Sequence, residues 1–98
     1  IVDLYDLLAT ADPSPVVALN RAVAIAMRDG PEAGLDLIAP LIAGPLAAYR
    51  FAHAAKADLL RRAGRWSEAR SAYQAALALT VQTAERRYLE KRLREMAD

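Results

Sequence analysis

Two glycines set the layout of this chain. Gly30 closes one helical stretch and opens the next, and Gly64 does the same 34 positions later. Prolines supply the other breaks, in the runs DPSP at 12–15, DGP at 29–31 and GP at 44–45. Between these breaks the hydrophobic fraction is high, at 55%, while aromatics supply only 6%. Alanine makes up most of the excess. It is the best helix former and is small enough to let helices approach closely. β-Branched residues are few and scattered. An all-α fold follows.

The breaks divide the chain into about six helices. IVDLYDLLATA places apolar residues at Val2, Leu4, Tyr5, Leu8 and Ala9, a short leading amphipathic helix. The following prolines push Asp12 and Ser14 out of the α conformation. Ser14 then suits an N-cap with Pro15 at the first helical position. The next helix should run to about Arg28, with Gly30 as its left-handed cap and Pro31 starting its successor. That successor, PEAGLDLIAPLIA, contains Pro40, which is expected to kink or shorten it. A fourth helix is expected from Pro45 to Ala63, with Arg61 and Arg62 suited to its C-terminus. WSEARSAYQAALALT forms a fifth and AERRYLEKRLREMA a sixth. Turns this short make neighbouring helices antiparallel.

The 34-residue spacing of the two glycines is the period of the tetratricopeptide repeat. The second unit fits that pattern through Gly64, Trp66, Glu68, Ala69, Tyr73, Ala76 and Leu77. Gly64 makes the turn. Ala57 and Ala69 are small where the two helices of a hairpin cross, and Tyr73 and Ala76 face the next helix. The first unit, around Gly30, is degenerate: no aromatic follows its glycine and Pro40 interrupts it. The expected architecture is an antiparallel helix-hairpin, tetratricopeptide-like, right-handed solenoid. It forms one domain over 1–98, with a leading helix at 1–13, a degenerate repeat at 14–44, a clear repeat at 45–80 and a polar capping helix at 81–98.

Several function classes drop out. There is no cysteine, hence neither a disulfide framework nor a thiolate metal site, and one histidine cannot make a His-based cluster. No metal or cofactor is expected. No apolar run reaches the length of a membrane span and no signal peptide is evident, so a cytoplasmic location is expected. The chain opens with Ile rather than Met, as a piece of a longer protein would. Net charge is +1, but residues 1–49 carry six acids against Arg21 and Arg28, and residues 50–98 carry eleven bases against six acids. Either a partner surface or the packing of the two halves against each other accounts for that asymmetry.

No catalytic constellation is expected. His53 has no carboxylate at i±4. ERRYLEKRLRE is basic, with Tyr88 among its cations, but its glutamates are interleaved, and Glu90 is four residues from both Arg86 and Arg94. A salt-bridged cap is the reading preferred over a phosphate-binding helix. Asn20 and Arg21 stand inside an otherwise apolar helix. In a tetratricopeptide array the first helix of each pair lines the groove, which makes Asn20, Arg21, Tyr49, His53 and Lys56 the partner-binding candidates. Arg and Asn there suit a carboxylate grip. The alternative is structural: Asn20 joins neighbouring helix backbones and Arg21 pairs with an acid such as Asp58.

Three stretches, DPSPVVALNRAVAIA, KADLLRRAGRWSEARSAYQAALAL and AERRYLEKRL, with IVDLYDLL leading in, carry a resemblance. Together they resemble the C-terminal extension of a group of bacterial RNA polymerase sigma factors of the extracytoplasmic-function type. The resemblance covers nearly the whole chain. It implies a tetratricopeptide-like regulatory domain whose partners are the factor's own sigma domains, core RNA polymerase or a regulator. The promoter-binding sigma domains would lie elsewhere in the factor, so no direct DNA binding by these 98 residues is expected. A ligand- or peptide-sensing helical-repeat module is the alternative. Homodimerisation would cover apolar surface at the cut ends of a solenoid.

Overall fold

A computed structural model describes residues 14–96. Five helices follow one another: α1 (Pro15–Asp29), α2 (Pro31–Ala43), α3 (Arg50–Arg62), α4 (Trp66–Ala78) and α5 (Thr83–Met96). No strand occurs among the described residues, so the fold is all-α. The leading helix expected over 1–13 lies outside the described residues.

The helix ends follow local chemistry. Ser14 is extended, at φ −60° and ψ 134°, and its hydroxyl accepts the Val16 N–H at 3.2 Å. Pro15 gives up no hydrogen bond at the first position, where the N–H would have no partner. At the end of α3 the Gly64 N–H donates to the Arg61 carbonyl at 3.0 Å and the Arg65 N–H to the Leu60 carbonyl at 2.9 Å. This is a Schellman closure, and it requires the positive φ of 76° found at Gly64. Gly30 also has positive φ, 102°, but closes α1 differently. Its N–H reaches the Ala26 carbonyl at 2.9 Å, and the next residue, Pro31, has no N–H for the second bond.

The helix expected over PEAGLDLIAPLIA is found at those bounds, and Pro40 does not shorten it. Pro40 is exposed and lies in the last turn, where few backbone bonds remain to be lost. The helix expected to start at Pro45 starts at Arg50 instead. Residues 44–48 form turns, with the Leu46 N–H donating to the Leu41 carbonyl at 2.8 Å and the Tyr49 N–H to the Leu46 carbonyl at 3.0 Å. Leu46 is buried, so this turn is anchored by its own side chain.

Consecutive helices pack on one another, and α1 also touches α3. The body measures 43 × 27 × 22 Å. The core runs through all five helices, from Leu19 and Ala22 through Ile38, Ala57 and Leu60 to Tyr73, Ala76 and Leu89. Buried positions recur at a spacing of 35, in the pairs Ala22/Ala57, Ile25/Leu60, Gly34/Ala69 and Ile38/Tyr73. Pro31 and Trp66 open α2 and α4 at the same spacing. The helices are therefore registered one residue differently from the turn glycines. Between α3 and α4 three residues intervene, but between α1 and α2 only Gly30 does, so the turns absorb the shift. Trp66 consequently corresponds to Pro31, which is why no aromatic follows Gly30.

Gly34 marks the tightest crossing. A Cβ there would lie 2.5 Å from the Ala26 Cβ, 2.9 Å from the Ala22 carbonyl oxygen and 3.1 Å from the Leu59 Cδ1. Only a hydrogen fits between α1 and α2 at that point.

Candidate interaction groove

Helix α3 carries two chemically different faces. At 100° per residue, Phe51, Ala54, Asp58 and Arg61 fall on one side, and His53 and Lys56 on the opposite one. The first side meets α5 across a groove of about 360 Å³. Ala54 and Ala84 keep it open because they are small, and Leu89 and Thr80 contribute buried walls. Phe51 and Tyr88 form its lips and remain 45% and 40% exposed, a substantial solvated aromatic surface on so small a protein.

Polar contacts tie the two walls together. At one end Arg50 Nε donates to Glu85 Oε2 at 2.9 Å. The Arg50 guanidinium also lies 4.4 Å from the centre of the Phe51 ring, a cation–π arrangement that fixes one lip. The Tyr49 ring packs edge-on against Phe51, with centroids 5.5 Å apart. Farther along, Asp58 Oδ1 accepts from the Tyr73 hydroxyl of α4 and, at 2.9 Å, from the Tyr88 hydroxyl of α5. Arg61 Nε donates to the Tyr73 oxygen at 3.1 Å. Arg92 Nε donates to the Tyr88 oxygen at 3.4 Å and its Nη1 to Glu95 Oε1 at 2.9 Å. One carboxylate thus joins three helices.

Burial pushes the Tyr73 hydroxyl well above the ordinary tyrosine range, and its hydrogen bond to Asp58 adds to the effect. Both favour the neutral phenol, burial by removing water and Asp58 by needing a donor. The hydrogen bond to Tyr73 in turn raises Arg61, keeping it charged. Asp58 Oδ1 accepts from hydroxyls of two other helices, so the network braces the groove.

The sequence-based candidates do not form one site. His53 and Lys56 line a separate depression with Ser67, Glu68 and Ser71 of α4, on the far side of α3 from the groove. His53 Nε2 lies 2.6 Å from the Ala47 carbonyl and so ties down the preceding turn. Tyr49 is not in the helix but caps it, at φ −93° and ψ 109°, and touches the groove only through Phe51. Asn20 is exposed, with no side-chain hydrogen bond among the described residues, so it does not link neighbouring backbones. Arg21 is half-buried, and the partner suggested for it, Asp58, is bound by Tyr73 and Tyr88 instead. The repeat residues Ala57, Ala69, Tyr73 and Ala76 are fully buried, Gly30 and Gly64 make their turns, and Trp66 is 54% exposed.

The expected pairing of Glu90 with Arg86 and Arg94 is also corrected. Arg86 turns to the carbonyls of Leu77 and Thr80, at 3.1 and 2.8 Å, and closes the C-terminal end of α4. Glu90 makes no ion pair among the described residues. Phe51, Glu85 and Tyr88 were missed as a site because a period within one helix does not reveal what faces it across a groove.

Comparison with known proteins adds one relative and little description. The chain is 43% identical over 94 residues to an uncharacterized protein of Rhizobium meliloti (strain 1021). The match covers 96% of this chain but only 22% of that protein, so the chain spans about a fifth of its relative's length. No family model and no solved structure matches the chain. No described helix is long and apolar enough to cross a membrane.

Proposed function

We propose that this chain is the C-terminal regulatory domain of an extracytoplasmic-function sigma factor, built as a tetratricopeptide-like, right-handed solenoid. It acts in transcription initiation by contacting its own sigma domains, core RNA polymerase or a regulator. The observation that carries this reading is the braced groove between α3 and α5. Its aromatic lips are solvated, while the neighbouring acid and hydroxyls are committed to one another, which suits binding rather than bond-making chemistry. The recurrence of buried positions at 35 residues supports the repeat architecture, in which α1, α3 and α5 line one face. The match to about a fifth of a longer relative suits a domain within a larger factor.

The test is transcription from a cognate promoter with purified polymerase and the full-length factor, with and without these 98 residues. Loss of transcript on deletion supports a domain that helps build or hold the active complex. A rise supports autoinhibition. Unchanged transcription refutes the regulatory reading. The groove is of small-molecule size as well, so a ligand-sensing module remains the second reading, favoured by that volume alone.

A further inference from the structure

The apolar groove borders a row of cations without ion-pair partners among the described residues. Arg87, Lys91 and Arg94 are exposed on α5 and make no ion pair among the described residues. Their spacing of i, i+4 and i+7 places them within about 60° of one another and along about 10 Å of the helix. The other α5 cations are occupied: Arg86 with the carbonyls that end α4, Arg92 with Tyr88 and Glu95. Glu90 beside the row is half-buried, and Glu95 is held by Arg92. Three cations thus stand against the single unpaired carboxylate of Glu90, and the row carries net positive charge.

Its position matters as much as its charge. Ala84, Tyr88 and Lys91 form one i, i+4, i+7 ridge, so the groove wall runs directly into the basic row. A segment seated in the groove would pass over Lys91 and Arg87 on leaving it. None of the three makes an ion pair among the described residues, so pairing with an external carboxylate breaks no described ion pair.

We propose that the α3–α5 groove and the α5 basic row form one docking surface for an acidic peptide segment of a protein partner, anchored by an aromatic or leucine side chain. The anchor enters between Phe51 and Tyr88, and flanking carboxylates meet Arg87, Lys91 and Arg94. This rests on reading the chain as a protein-contacting domain and states the chemistry of what it contacts.

The test is selection of a displayed random-peptide library on the 98-residue chain, followed by fluorescence anisotropy with the selected peptides. The expected result is enrichment of acidic peptides carrying Phe, Trp or Leu, with affinity that falls as salt rises. Arg87→Glu with Lys91→Glu should weaken binding roughly tenfold or more. Ala84→Trp, which fills the groove from an exposed position, should weaken it similarly. Lys56→Glu, on the opposite face of α3, should leave it unchanged. Circular dichroism checks that each variant is folded.

The proposal is overturned by no enrichment, by peptides without acidic bias, or by affinities indifferent to the α5 and Ala84 substitutions. It is equally overturned if single-stranded DNA or a second copy of the chain, read by anisotropy and sedimentation, occupies the surface in place of peptide. Transcription that responds to deletion of the domain while peptide selection fails removes this docking surface and leaves the regulatory reading standing. The reverse result removes the sigma-factor reading and leaves the surface.

Discussion

Replacing Gly34 by alanine tests the closest helix contact in the fold. Helix propensity alone favours the change, because alanine in a helix interior is better than glycine by about 1 kcal/mol. Packing opposes it. The new Cβ would meet the Ala26 Cβ at 2.5 Å and the Ala22 carbonyl oxygen at 2.9 Å, where carbon–carbon contact is comfortable at about 3.5–4.0 Å. The obstructing atoms are a Cβ and a backbone oxygen, neither of which can rotate aside. Relief requires α1 and α2 to separate, loosening the contacts of Leu35 and Ile38 as well. Overpacking of this kind costs about 1–3 kcal/mol, and rigid obstacles place it at the upper end. Net destabilisation of about 1–2 kcal/mol remains after the propensity gain. For a domain of this size that lowers Tm by roughly 5–15 °C. Thermal unfolding followed by far-UV circular dichroism measures it. Ala39→Gly, at an exposed position of the same helix, calibrates the propensity contribution alone. A Gly34→Ala protein that melts at or above the wild-type temperature would refute the crossing described here.

The tyrosine network yields two more expectations. Tyr73→Phe removes a buried donor to Asp58 and the oxygen that accepts from Arg61, and should cost about 1–2 kcal/mol. Tyr88→Phe, at a more exposed position, should cost about 0.5 kcal/mol. Urea unfolding of the two variants separates them, and equal losses would mean that Asp58 does not brace the three helices through Tyr73. The folded state also holds Tyr73 neutral above the ordinary tyrosine range, whereas the unfolded chain ionises near about pH 10. The unfolded state then binds fewer protons, so stability present below that pH is lost as pH rises through it. Melting temperatures should fall more steeply above about pH 10 in the wild type than in Tyr73→Phe, and parallel curves would count against the buried phenol.

Much of the local structure was legible because it depends on residues close together in the chain. Ser14 and Pro15 start α1 since one side chain and one missing N–H act on the adjacent turn. Gly64 ends α3 since only its own backbone must turn left-handed. Pro40 leaves the extent of α2 unchanged for a related reason: its penalty depends on how many helical bonds follow it, and α2 ends three residues later. The α3 start was misplaced because Leu46, whose burial anchors a turn, has the same apolar character as a helical residue. Glu90 had suitable partners at i±4, yet Arg86 found two carbonyls at the end of α4, an alternative visible only once α4 and α5 were packed.

The sequence by itself determined an all-α chain and most of its helix limits, since propensity, capping and periodicity act within a few residues. The tertiary structure alone decided that Gly34 is a contact point, that Asp58 joins Tyr73 to Tyr88, and that Phe51 and Tyr88 open a groove beside a basic row. Those features depend on which faces of separate helices come together, and that is set by packing the whole core at once.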